Sequence, residues 1–256
     1  MSTERVGDVA VEVTPEPEET TIEAVAIENG VLRLRVRSGA VNANVFLEPD
    51  EAKALGGDLI DAAERAAAAQ LLAADHPVLS VNGNVAALVP EEIVALADAV
   101  GADIEVNLFH RTEERMEAIA NHLREHGASE VKGLTGDGEI PGLSHDRATV
   151  DADGIGAADV VVVPLEDGDR AEALAAAGKT EIVIDLNPLS RSARTAAIPI
   201  VDNIIRAVPN MTTHATELQG TEQATLGKII DAFDPDAARA AAERAIRDGS
   251  LAAPDE

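Results

Sequence analysis

The 256-residue chain has no cysteine, no tryptophan and no tyrosine, and only three phenylalanines. Without cysteine there is no disulfide, no thiolate zinc site and no cysteine nucleophile. Basic residues are scarce: 20 Lys and Arg stand against 47 Asp and Glu, a formal net charge of −27. A surface of that sign repels phosphate backbones and anionic lipid, which excludes a general nucleic-acid binder and a membrane-surface protein. No apolar run approaches the roughly 20 residues that span a bilayer. The opening MSTERVGDVAVEV lacks the basic start and apolar core of a signal peptide. These absences predict a soluble, cytoplasmic protein.

What is present is a chain with 46% hydrophobic residues, dominated by Ala and Val, and long enough for a buried core. The only lysines are Lys53, Lys132, Lys179 and Lys228, so arginine carries most of the positive charge. High acidity with abundant Ala and Val is the composition of proteins from a high-salt cytoplasm, where salt screens self-repulsion.

Residues 1–20, with the run PEPEETT, read as mobile. TIEAVAIENGVLRLRVRSG alternates around Asn29-Gly30 and predicts a β-hairpin, with Arg33, Arg35 and Arg37 on one solvated face. From residue 59 the pattern changes. LIDAAERAAAAQLLAA predicts a helix stopped by Asp75-His76-Pro77. VLSV (78–81), IEVNLF (104–109), a short strand from Val131, DVVVVPL (159–165), EIVIDL (181–186) and IPIVD (198–202) predict strands. Helices opening at Pro90, capped by Thr112, and running from Arg170 to Ala177 alternate with them. Thr221 and Asp234 are expected to cap C-terminal helices. Buried strands alternating with helices predict an α/β, Rossmann-like fold: a mostly parallel sheet with helices on both faces. The expected division is a divergent segment 1–58, a nucleotide-binding core 59–219 and C-terminal helices 220–256.

In such sheets ligands bind at the carboxyl ends of the strands. Those ends carry Asn82-Gly83-Asn84, then Asn107 with His110 and Arg111, then Asp167-Gly168-Asp169-Arg170, then Asp185-Leu186-Asn187, and Asp202-Asn203. Ordinary turn chemistry accounts for any one of them; together on one sheet edge they predict a site. Ser190-Arg191-Ser192-Ala193-Arg194-Thr195 brings two arginines into a chain short of cations, and their forked donors suit phosphate or carboxylate. A local ion pair is the competing reading. Asp167 and Asp169 are weak candidates to hold Mg²⁺, with helix capping equally open. His76, His122, His126 and His145 show no metal-ligand spacing, and only His110, at a strand end, draws attention. GLTGDGEIPG (133–142) reads as a long loop or lid. There is no Walker-type phosphate loop, no glycine-rich dinucleotide turn after the first strand, no GxSxG elbow and no HExxH.

Four stretches, HPVLSVNGNVAALVPEEIVALADAV, IEVNLFHRTEERMEAIANHLREHGA, IPGLSHDRATVDADGIGAADVVVVPLEDGDRAEAL and VIDLNPLSRSARTAAIPIVDNIIRAVPN, are long and collinear. Across residues 63–211 they resemble the archaeal phosphopantothenate synthetases, the 4-phosphopantoate–β-alanine ligases. The resemblance implies a homodimeric enzyme of coenzyme A synthesis. It would use ATP and Mg²⁺ to join 4-phosphopantoate to β-alanine, through an acyl-adenylate, releasing AMP and pyrophosphate. It also implies ATP contacts at Asp185, Leu186, Asn187, Arg191, Ser192, Asn203 and Ile204. Asn82, Asn84, Arg170 and Arg194 are the substrate candidates. The HPRY-like and GRGEAFDYL-like stretches of the family's N-terminal region do not occur in residues 1–58. A diverged enzyme, a non-catalytic nucleotide-binding paralogue and a shifted upstream reading frame each account for that. An NADP-binding module, with an arginine near Asn107–Thr112 reading a 2′-phosphate, is a further alternative.

Overall fold

The computed structural model describes residues 58–165 and 168–246 in full; outside these it gives only the backbone of the elements named here. Two small antiparallel sheets come first. β1 (Ser2–Val6) pairs with β2 (Val9–Val13), and β3 (Thr20–Ala26), β4 (Leu32–Ser38) and β5 (Val41–Leu47) form a meander. In β3–β4, Ala26 pairs with Leu32. The turn expected at Asn29-Gly30, the mobility expected of residues 1–20 and the solvated face expected of Arg33, Arg35 and Arg37 lie outside the described residues.

Residues 57–244 form a compact unit of their own. The helix α1 (Pro49–Ala73) enters it, starting ten residues before the expected Leu59. Ala63, Ala66, Ala67, Ala68 and Ala69 are all 1% exposed or less. They belong to the hydrophobic cluster that also contains Leu79, Val81, Ile182 and Ile184. The turn after α1 is held by Asp159, whose carboxylate accepts from the backbone N–H of Asp75 and His76 at 2.8 and 2.9 Å.

Then follow β6 (Pro77–Val81), α2 (Gly83–Leu88), α3 (Pro90–Val100), β7 (Asp103–Val106) and α4 (Glu113–Glu125). Next are β8 (Gly138–Glu139), β9 (Thr149–Val150), β10 (Val160–Pro164), α5 (Gly168–Ala176) and β11 (Thr180–Ile184). The chain continues through α6 (Arg191–Thr195), β12 (Ile198–Ile200), α7 (Ile204–Leu218), α8 (Gln223–Asp231) and α9 (Pro235–Arg247). The main sheet runs β12-β11-β10-β6-β7 with every neighbouring pair parallel. β6 is internal: the chain leaves it outward to β7, then returns to its other side at β10. The switch point, where a ligand crevice opens, therefore lies between the carboxyl ends of β6 and β10.

Both faces are covered, as the expected fold class requires. Leu79, Val81, Ile104, Val106, Val162, Ile182 and Ile184 pack under α1, α3, α4 and α7. Val78, Val161, Val163 and Val183 pack against Leu174 of α5 and against Ile140, Val150 and Ile155. The second face also buries charge. Arg170 is fully buried and donates to Ser80 Oγ at 3.0 Å. Glu105 accepts from the N–H of Asp151 and Ile155 at 3.1 and 2.6 Å, and burial pushes its carboxyl up to about 7. Burial pushes Glu181 up to about 8 against the pull of Arg170.

Several local expectations are corrected. No strand forms at Val131: Lys132 makes a single bridge to Glu105, and Gly133, at φ +94° and pressed on the Val106 carbonyl, turns the chain away. The main sheet thus has five strands. β7 ends at Val106 rather than Phe109; the Asn107 N–H still donates to Val81 O, and its Nδ2 donates to the carbonyls of Arg147 and Thr149. Asn82-Gly83-Asn84 opens the short helix α2. Residues 133–142 are tied down, since Asp151 accepts from the N–H of Gly133 and Gly136 at 2.7 and 2.5 Å. The residue before α8 is Glu222, with no side-chain cap, instead of Thr221. Asp234 does cap α9, accepting from Asp236 and Ala237 N–H, each at 3.0 Å.

Candidate functional site

The crevice is built around Asn82. Its side chain is 6% exposed and all its hydrogen bonds go to backbone. Oδ1 accepts from Asn84 and Val85 N–H at 2.9 and 3.1 Å and caps α2. Nδ2 donates to the carbonyls of Pro164 and Leu165 at 3.2 and 3.4 Å. One amide thus fastens the end of β6 to the end of β10 across the switch point. Leu165, at φ +52°, is the only non-glycine residue with positive φ among the described residues. Such a conformation costs about 1–3 kcal/mol and persists where the surroundings fix it, often at functional sites. Here the Leu165 N–H donates to Ile184 O while its own carbonyl receives Asn82. Asn84 is exposed at the rim.

Beside β10 and β11, α5 and α6 meet closely. A Cβ on Gly168 would run into the Arg191 side chain. Arg191 is exposed and forms an ion pair with Asp169, with Glu172 at 3.8 Å. The local ion pair weighed from the sequence is therefore present, and it holds Arg191 against the start of α5. Of the two weak Mg²⁺ candidates, Asp169 is engaged with Arg191, and Asp167 lies outside the described residues. Ser190 Oγ caps α6 by accepting from Ala193 N–H at 3.0 Å, Ser192 is buried and Arg194 exposed.

After β11, Asp185 Oδ1 accepts from Asn187 N–H at 2.9 Å, a turn that presents Leu186 at 57% exposure. After β12, Asn203 Oδ1 accepts from Ile205 N–H at 3.1 Å and caps α7. Ile204 is 1% exposed, so only its backbone can meet a ligand. Asp202 is buried beside Arg206 and raises that guanidinium's pKa. Thus Asp185, Leu186, Asn187, Arg191, Ser192, Asn203 and Ile204 all lie at the carboxyl ends of β11 and β12, with helix starts that favour anions. Arg170 is not brought to this edge: it lies beneath the sheet against Ser80.

A sequence model of the phosphopantothenate/pantothenate synthetase family matches residues 59–249. The chain belongs to that family. A 4-phosphopantoate–β-alanine ligase of Thermococcus onnurineus is 55% identical over 184 residues, 70% of each chain. The ligases so named from Thermococcus kodakarensis and Methanosarcina mazei are 53% and 56% identical over 184 and 172 residues. These cover 70% of each chain for the first, and 67% of this chain and 68% of the relative for the second.

In this member of the synthetase family, a second cluster sits at the end of β7. Phe109 is 41% exposed. His110 stands edge-on to its ring at 4.9 Å, His145 lies tilted on it at 4.9 Å, and the Arg147 guanidinium is 5.8 Å from its centre. Sequence reasoning singled out His110 and missed His145. The signal was a phenylalanine next to a histidine in a chain with few aromatics, but its partner lies 36 residues further along the chain. Arg111 donates to Gly133 O at 2.6 Å, which makes it a loop anchor rather than a reader of a 2′-phosphate. No described helix is long and apolar enough to cross a membrane.

Proposed function

We propose that the chain is an ATP-dependent ligase that joins 4-phosphopantoate to β-alanine, forming 4′-phosphopantothenate, AMP and pyrophosphate. The observation that carries this is identity above one half to ligases of that name over about two thirds or more of the chain. Residues 59–219 serve as the nucleotide-binding core, with Asp185, Leu186 and Asn187 under the nucleoside. Arg191, Ser192 and the α7 start at Asn203-Ile204 face its phosphates. Asn84 and Arg194 receive phosphopantoate at the rim, while Asn82 shapes the crevice and Arg170, fully buried, supports the sheet from below through Ser80 and the charges of Glu105 and Glu181.

A carboxylate is a poor electrophile. Its oxygen attacks the α-phosphorus of ATP, the bond to the β-phosphate oxygen breaks, and pyrophosphate leaves. The β-alanine amine then attacks the acyl carbon, loses a proton and expels AMP. Both partners of the first step are anions, so Arg191 and the helix starts lower the charge repulsion. Arg191 reaches this work by exchanging Asp169 for phosphate. Any Mg²⁺ is held chiefly by the nucleotide's own phosphates. The composition fits a cytoplasm rich in salt, and a homodimer is the expected assembly.

The test is AMP release by purified protein in high KCl with ATP, Mg²⁺, 4-phosphopantoate and β-alanine. AMP that requires both organic substrates supports the ligase. ATP binding without AMP favours the non-catalytic paralogue, a reading the unmatched residues 1–58 keep in view.

A further inference from the structure

Away from the crevice, α1 and α7 bring together three groups that the ligase mechanism does not use. Asp61 and Glu64 lie one turn apart on α1, and His214 faces them from α7. One ligand atom from each lies within 4.8 Å of the others. The three differ in kind: Asp61 is exposed, Glu64 is 1% exposed and His214 is 9% exposed. Asn210 donates to Glu64 Oε2 at 3.0 Å, but Oε1 is buried without a partner. A buried carboxylate oxygen with nothing to meet it costs desolvation energy that a cation recovers. Burial pushes Glu64 up to about 7, with Asp202 and Asp61 adding to the shift and Asn210 and Arg206 opposing it.

His214 is poised in the manner of a metal ligand. Nε2 lies 3.1 Å from Asp61 Oδ1, on the side of the carboxylates. Nδ1 is buried without a hydrogen bond and lies 3.8 Å from Glu217 Oε2. A metal-bound imidazole commonly turns its other N–H to a carboxylate, which fixes the ring and raises its basicity. Glu217 stands where that partner belongs, steadied by Arg65 at 3.5 Å.

We propose that Asp61, Glu64 and His214 form a binding site for one divalent transition-metal cation of the Zn²⁺, Co²⁺ or Mn²⁺ class, joining α1 to α7. Two carboxylates and an imidazole are donors of intermediate hardness, which favours these ions over Mg²⁺. Ligand bonds of about 2.0–2.2 Å require the donors to close from their present spacing, which the exposed Asp61 permits. The remaining positions face solvent and take water. The site joins α1 to α7, so its occupancy stiffens the helix whose cap is Asn203.

The test titrates Co²⁺ into the metal-stripped full chain in high KCl and follows the visible absorption of bound Co²⁺, with equilibrium dialysis of Zn²⁺ for stoichiometry. His214→Gln and the surface change Asp61→Asn are run beside it; the acidic surface supplies the same weak background in all. The expected result is one tight equivalent that is lost in His214→Gln and reduced at least tenfold in Asp61→Asn. Glu217→Gln, which changes no ligand, weakens binding by about 10-fold through the orientation of His214. Equal binding by the unaltered chain and by Asp61→Asn and His214→Gln, both folded by circular dichroism, overturns the proposal. So does an absence of any equivalent above the surface background. AMP formation plays no part in the readout, so failure of the ligase reading leaves this test intact.

Discussion

Glu181→Gln is expected to make the protein more stable, and increasingly so as pH rises. Glu181 is 1% exposed on β11, and neither carboxylate oxygen has a hydrogen-bond partner. Its pKa rises from 4.5 to about 8 on folding. The folded state therefore binds a proton that the unfolded state has released, and stability falls with pH between about 4.5 and 8. At pH 7, holding that proton costs roughly 3 kcal/mol, from about 1.4 kcal/mol per pH unit above 4.5. Glutamine fills nearly the same volume and carries no such cost. The attraction of Arg170 for an ionised Glu181 is lost, but the carboxyl is mostly neutral at that pH. Urea unfolding of both proteins at pH 4.5, 7 and 8.5, at constant KCl, gives the comparison. The variant's advantage should grow by roughly 4 kcal/mol between pH 4.5 and 8.5, most of it before pH 8, with the pull of Arg170 already contained in the pKa of about 8. A gap that does not change with pH, or a variant that grows less stable as pH rises, would refute the burial argument and make Glu181 an ionised partner of Arg170.

Three further outcomes follow from the site. Asn82→Ala removes the α2 cap and the donor to Pro164 and Leu165, and should cost about 2–4 kcal/mol in denaturant unfolding; a loss under 1 kcal/mol contradicts the fastening role. Gly168→Ala pushes Arg191 off its seat on α5, so the KM for ATP should rise about tenfold with a loss of roughly 1–3 kcal/mol in stability; an unchanged KM means Arg191 does not meet the nucleotide. Asn84→Ala, at the exposed rim, should leave stability unaltered and raise the KM for 4-phosphopantoate, and an unchanged KM removes Asn84 from the substrate site.

The parallel sheet was legible because its strands are nearly pure runs of Val, Ile and Leu between helix caps. Thr112 and Asp234 announced helix starts through chemistry that acts locally. The site edge was legible for the same reason: strand-end Asn and Asp residues stand out against apolar strands. What escaped notice depends on long-range pairing. Gly133 turns away from a strand because Val106 O crowds it, which no local pattern records. Arg170 looked like a substrate arginine at a strand end, yet its length carries it under the sheet to Ser80, 90 residues away. Leu165 gave no hint of its left-handed backbone, since the conformation is imposed by Asn82 and Ile184. His214 and Glu64 are 150 residues apart and became neighbours only through the packing of α1 on α7.

The central claim is that this chain activates the phosphopantoate carboxylate as an acyl-adenylate. Following ¹⁸O from labelled phosphopantoate carboxylate during turnover in high KCl tests it most directly. One ¹⁸O is expected in the AMP, carried across the bond between carboxylate oxygen and α-phosphorus. AMP free of label, ADP in place of AMP, or no nucleotide product from folded protein would contradict it.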